Sequence, residues 1–257
     1  EKNLNFLIDT GLVEDPNKIR KITSYYESAD PGTGPGATIP RTPDYLYSAP
    51  ENNPAFEGCG SDLTFLTDPA PSLAMNQQKL VDVAAATGRI ELEGNPNFDW
   101  IGTGFLVKED VVLTAGHVAD IFSSSQGEIH PDTQVSIDFN DNFVCSEPLV
   151  YEVHSIMYKS DHGDVDFAFL QVSPIDKAVK PISISESQPA RSQSVALIGH
   201  PAHFDARRHP ADLRSAYNGI MDVKRAALGN YVGPVDNDAS VVTYQLMSSA
   251  GTTGGPI

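Results

Sequence analysis

Two apolar runs joined by a short charged turn constrain this chain more than any other feature. Gly102-Thr103-Gly104-Phe105-Leu106-Val107 passes through Lys108-Glu109-Asp110 into Val111-Val112-Leu113-Thr114-Ala115-Gly116-His117-Val118. Short apolar runs rich in β-branched residues and bounded by polar turns read as strands. The stretch therefore predicts two paired strands with His117 just past the second. Gly88-Arg89-Ile90-Glu91-Leu92-Glu93 alternates polar and apolar residues, the period of a half-buried strand. With 20 Gly and 19 Pro in 257 residues, the chain has the turn content of many short strands closed into a barrel or sandwich.

A second feature lies at the far end, in Gly251-Thr252-Thr253-Gly254-Gly255-Pro256-Ile257. Acyl transfer needs a hydroxyl whose proton a nearby base can take, and donors aimed at the oxyanion that develops on the attacked carbonyl. A glycine-rich turn around a hydroxyl residue supplies both, because glycine reaches dihedrals and close approaches that a side chain would block. Gly251 and Thr253 are the natural N–H donors. Taken alone the run is equally an ordinary surface turn, and a lone histidine is more often structural than catalytic.

Taken together, the two motifs resemble the paired signatures of the chymotrypsin-like and trypsin-like serine peptidases, Thr-Ala-x-His around the base and Gly-x-Ser-Gly-Gly-Pro around the nucleophile. The resemblance covers residues 80 to 257 and is closest to bacterial trypsin-like peptidases of the glutamyl endopeptidase kind, on Val195-Ala196-Leu197-Ile198-Gly199-His200-Pro201 and Val242-Thr243-Tyr244-Gln245-Leu246. Tyr217 to Val223 reads as the strand between those two segments. The family's orienting acid sits in an Asp-apolar-Ala-apolar-Leu run, which Asp166-Phe167-Ala168-Phe169-Leu170 matches. Asp164 is the rival, and reads better as a turn acid beside Gly163. The resemblance thus implies His117 as base, Asp166 as orienting acid and Thr253 in the nucleophile position, in the chymotrypsin chain order. It also implies an all-β fold of two six-stranded antiparallel barrels, with the second incomplete because the sequence stops four residues after Thr253. On this reading the polypeptide continues beyond Ile257, or the missing strands are disordered or on another chain.

Threonine in place of serine keeps the hydroxyl but adds a methyl group that restricts χ1 and crowds the attacking atom. Three readings stay open: a slow threonine peptidase, a protease-like protein that binds without cleaving, and a serine enzyme altered to trap a substrate or zymogen. In the family the substrate pocket is floored just before the nucleophile. Met247 stands six residues back, where the trypsin subgroup has an Asp, and Ser248 stands five back, where glutamyl endopeptidases have a small hydroxyl residue. The histidine those enzymes place on the strand after the nucleophile has no counterpart here. Peptide or protein is the implied substrate, and no cofactor is implied.

A net charge of −17 argues against nucleic acid or an anionic membrane surface as partner, since phosphate binding needs clustered Lys and Arg. No apolar run approaches the roughly 20 residues of a membrane span. The chain reads as soluble, in the bacterial cytoplasm or secreted. His200, His203 and His209 lack a Cys or acidic partner at a zinc spacing, and Arg207-Arg208 beside them reads as a solvated loop. Cys59 and Cys145, the only cysteines, leave one bridge open. Residues 1 to 78 read as a pro-segment or regulatory extension that could inhibit the domain intramolecularly. It holds helix-compatible spacing over Leu4 to Val13 and Lys18 to Tyr26, a break at Asp30 to Gly36 and an irregular Pro-rich stretch. The peptidase domain then runs from 79 to 257. Arg89-Ile90 has the form of an activation cleavage site, but its alternating context favours the first barrel strand.

Overall fold

A computed structural model describes residues 49–257, apart from 61–62, 96–97, 161–164, 176–178, 186, 204, 206–208 and 236–237. The helical segments expected near the N-terminus, the break at 30–36, Asp164 and the Arg207-Arg208 pair lie outside the described residues.

Six strands close into an antiparallel barrel: β3 (Thr87–Glu93), β4 (Trp100–Lys108), β5 (Val111–Thr114), β6 (Gln134–Asp138), β7 (Val150–Lys159) and β8 (Ala168–Val172). Around the barrel they run β3-β4-β5-β8-β7-β6, and β6 pairs back onto β3. The expected pair is present as β4 and β5, with Phe105 opposite Leu113 and Leu106 opposite Val112. Alternation along β3 turns Ile90 and Leu92 inward, where Ile90 meets Leu106, Val112, Ile137 and Leu170, all without solvent exposure. Burying each such aliphatic side chain contributes about 1.5–3 kcal/mol. Closure leaves this sheet no free edge. The Arg89-Ile90 bond lies inside β3, paired with β4 on one side and β6 on the other, which suits a structural strand and not an exposed cleavage loop.

The second half is a three-stranded sheet ordered β11-β10-β9, built from β9 (Ser194–Gly199), β10 (Arg225–Val235) and β11 (Asp238–Leu246). Val195 to Gly199 and Val242 to Leu246, two of the segments that carry the resemblance, lie in β9 and β11. Tyr217 to Val223, expected as the strand between them, is not one. Pro210–Ala216 forms a helix instead, capped by His209, whose Nδ1 accepts from the Ala211 N–H. The chain then turns through Asn218, Gly219 and Asp222, all with positive φ, and the strand begins only at Arg225. Asn-Gly favours a left-handed turn over an extended strand, a signal that outweighs the apolar residues around it.

Before the barrel come two short strands, β1 (Phe56–Glu57) and β2 (Thr64–Phe65), and two helices, α1 (Pro71–Ala74) and α2 (Gln77–Ala85); the later helices are α3 (Gly116–Asp120) and α4 (Pro210–Ala216). The β1 region lies between the two halves. Phe56 N–H donates to the Lys224 carbonyl (3.0 Å), and the Phe56 carbonyl accepts from Phe143 N–H in the β6–β7 connection (2.9 Å). Phe56, Leu63 and Phe65 pack with Ala84 of α2, Ile198 of β9 and Ala226 of β10. Cys59 and Cys145 are joined in a disulfide across a Cα–Cα distance of 5.3 Å. Among the described residues no helix is long and apolar enough to cross a membrane.

Candidate active site

His117 is carried by α3, the short helix that follows β5, and Asp166 lies just ahead of β8, the strand paired with β5. Adjacent strands therefore bring together two residues 49 positions apart. The Asp166 carboxylate holds His117 at two points: Oδ2 is 2.5 Å from the ring Nδ1, and Oδ1 accepts the His117 backbone N–H at 2.9 Å. Two contacts to one carboxylate fix both the position of the residue and the plane of its ring. Nδ1 faces an acceptor-only group and so carries the proton, which leaves Nε2 as a bare acceptor in the neutral ring. Partial burial pushes the Asp166 carboxyl up, yet its hydrogen bonds and charge interaction with His117, joined by the Gly116 N–H, hold it below the usual carboxylate range. Both side chains remain about half exposed, so Nε2 is open to an incoming group.

Thr253 is brought to the same end of the barrel by backbone contact. Its carbonyl accepts from Thr103 N–H of β4 at 2.9 Å. Space for the loop depends on glycine at two places. A Cβ at Gly254 would run into the Thr103 carbonyl and the Thr114 hydroxyl, and one at Gly251 into the His200 carbonyl and the Trp100 ring. Both residues also have φ of 86°, a conformation that side chains disfavour. Among the described residues, the N–H groups of Gly251 and Thr253 have no hydrogen-bond partner, and the same holds for the Thr253 hydroxyl and His117 Nε2. The nucleophile candidate and the base candidate thus share one end of the barrel without a direct bond.

Thr252 turns inward, its hydroxyl donating to the Ser249 carbonyl at 2.7 Å. Met247 is buried with Leu213, Ala216 and Tyr217 beneath α4, and Ser248 is half-buried beside it. Met247 thus serves as packing for α4, with Ser248 the more open of the two.

A cavity of about 530 Å³ opens beside Gly251, lined by Phe98, Trp100, Ile101, Ile121 and His203 among others. Of these, the sequence singles out only His203, as a candidate metal ligand; the aromatic residues Phe98, just ahead of β4, and Trp100, its first residue, were the signal available for the rest. His203 is held by Asp222 as His117 is by Asp166, through its backbone N–H (3.0 Å) and Nδ1 (2.9 Å). His200 is buried behind the loop. Burial, with the charges of Lys224 and Arg89, keeps its pKa well below the usual histidine value.

A closed antiparallel barrel followed by a second antiparallel sheet that leads into a glycine-rich loop defines a protein of the chymotrypsin-like all-β class. Over residues 102–257 the chain matches the family model described as trypsin-like peptidase domain. It belongs to that family, and its general function is that of a serine-protease-type hydrolase acting on peptide or protein. A comparison with curated protein sequences finds no significant match.

Proposed function

We propose that the domain is an endopeptidase working through His117, Asp166 and the hydroxyl at position 253. His117 Nε2 takes the proton from that hydroxyl as its oxygen attacks the scissile carbonyl. The N–H groups of Gly251 and Thr253 receive the charge that forms on the carbonyl oxygen. His117 then gives the proton to the departing amine, leaving an ester on residue 253, and water reverses the sequence to release the acid. Asp166 stays ionised throughout and stabilises the imidazolium.

The observation that carries this reading is the two-point hold of Asp166 on His117, which sets the tautomer a general base needs. Two unclaimed amides flanking the hydroxyl loop add support. The methyl group of Thr253 lowers the rate, since misplacement of an attacking atom by about 1 Å costs on the order of a hundredfold. Nearness to the glutamyl endopeptidase kind rests on sequence motifs, and Ser248 is the pocket residue it would use.

The test is hydrolysis of a mixed peptide library, read by mass spectrometry, by the chain itself, Thr253→Ser and His117→Ala. Cleavage that rises with serine and vanishes with alanine supports the mechanism. Silence from all three removes it and favours a binding or regulatory protein on a protease-like fold.

A further inference from the structure

Thr103 sits on β4 without solvent exposure, and all of its polar groups are engaged at the hydroxyl loop or next to it. Its N–H donates to the Thr253 carbonyl at 2.9 Å. Its carbonyl accepts from the Thr114 hydroxyl at 2.7 Å, three residues ahead of His117. Its own hydroxyl donates to the Gly251 carbonyl at 2.7 Å and accepts from the His200 N–H at 3.1 Å. His200 Nδ1 lies 3.3 Å from the same oxygen.

A hydroxyl has one proton to give. The His200 N–H can only donate and the Gly251 carbonyl can only accept, so that proton goes to Gly251. His200 Nδ1 lies beside the same oxygen, in a ring that burial keeps neutral. The hydroxyl is therefore oriented from behind by His200 and aimed at the loop.

Gly251, like Gly254, lacks a side chain and sits at positive φ, so the direction of its peptides depends on neighbouring groups. Its preceding peptide is tied on the other side, where Ala202 N–H donates to the Ala250 carbonyl at 2.7 Å. Its own carbonyl depends on Thr103. We propose that Thr103 is the positioning residue for the two oxyanion donors: one rigid strand residue holds the carbonyls of Gly251 and Thr253, and so fixes the Gly251–Thr252 peptide, the plane that links the peptide carrying the Gly251 N–H to the peptide carrying the Thr253 N–H. This rests on the peptidase reading above and adds a residue that touches neither substrate nor the reacting atoms.

Thr103→Val keeps the shape and the backbone bond to Thr253 but leaves the Gly251 carbonyl and the His200 N–H without their partner. In the Thr253→Ser background, kcat should fall by about a hundredfold, the scale of losing one oxyanion donor, with KM within a few-fold. Thr103→Ser, which keeps the hydroxyl, should restore kcat. A crystal structure of Thr103→Val should show the Gly251 carbonyl turned away from its present direction. If the valine variant does not fold, Thr103→Cys, a far weaker donor of similar size, takes its place in both measurements. An unmoved Gly251 carbonyl overturns the proposal whatever the rates are, and so does a rise in KM with kcat unchanged. Absence of hydrolysis in Thr253→Ser with Thr103 intact sinks the peptidase reading instead, while the position of the Gly251 carbonyl still decides for or against Thr103.

Discussion

Replacing Lys224 with methionine should stabilise the protein at neutral pH and flatten its response to alkali. Lys224 has no solvent exposure, and its ammonium donates to the Phe139 carbonyl at 2.6 Å. Among the described residues no carboxylate forms an ion pair with it. Burial pushes its pKa down to about 7, against a smaller upward pull from Asp141 and Asp138. Set against an ordinary lysine near 10.5, that shift corresponds to about 5 kcal/mol at the limit. Below pH 7 the lysine is protonated in both states and the full cost of burying the charge is present. Between about 7 and 10.5 the unfolded chain binds a proton that the folded one does not, so stability rises with pH. Methionine removes that dependence and leaves the Phe139 carbonyl short of a donor, a cost of about 1–3 kcal/mol. The net at pH 7 is a gain of about 2 kcal/mol or more. Urea unfolding followed by the fluorescence of Trp100, the single tryptophan, at pH 7, 8, 9 and 9.5 (chosen test points, about the lysine window) reads the effect in both proteins. Arg225, pushed down by burial to about 10, titrates above that range. Below pH 7 the acid limb is less diagnostic, because Asp141, raised to about 6 by burial, loses stability with rising pH while His200 gains it. A parent protein whose stability is flat or falling from pH 7 to 9.5, or a methionine variant with the parent's slope, would refute the argument.

Asp166→Asn in the Thr253→Ser background should lower kcat by about ten-thousandfold, because an amide donates to Nδ1 where the carboxylate accepted and so forces the wrong tautomer; steady-state kinetics showing a loss under tenfold would remove Asp166 from the orienting role. Because the Asp166 carboxyl is held below its usual range, its contribution to stability is present above the ordinary carboxylate pKa and fades only as acid titrates the folded form. Reducing the Cys59–Cys145 bridge, whose partners stand 86 residues apart, should lower stability by up to about 4.5 kcal/mol on the chain-entropy estimate. Unfolding curves with and without reductant, compared with the Cys59→Ser/Cys145→Ser double variant, read that loss directly, and coincident curves for all three would argue that the bridge constrains nothing.

What the sequence made legible is local. β3, β4 and β5 follow from alternation and from apolar runs split by a charged turn, and the glycines around Thr253 mark a tight loop without any knowledge of what presses on it. Tyr217 to Val223 has the apolar content of a strand, but Asn218-Gly219 turns the chain there, and the helix ahead of it depends on a His209 cap with no strong periodic signal. The pairing of Cys59 with Cys145 could not be read at all, since two cysteines say nothing of distance. Thr103 was visible only as a residue between two strand glycines. Its role depends on Gly251, 148 positions away, and no local pattern encodes that meeting. The same holds for His203 and Asp222, whose bond crosses the α4 insertion.

The stretch around β1 also carries information about the order in which the molecule assembles. Its partners come from both halves: Phe143 belongs to the first barrel, Lys224 and Ala226 to the second sheet. On a chain made from its N-terminus, Cys145 appears before any residue of β9 or β10. The bridge to Cys59 can therefore close on the finished barrel alone, and it leaves Phe56 and Phe65, stacked with ring centroids 4.8 Å apart, waiting as a template. β10 then has a prepared edge to land on, with Ala226 N–H reaching the Pro54 carbonyl at 3.1 Å. The second sheet is in that sense cast against the first.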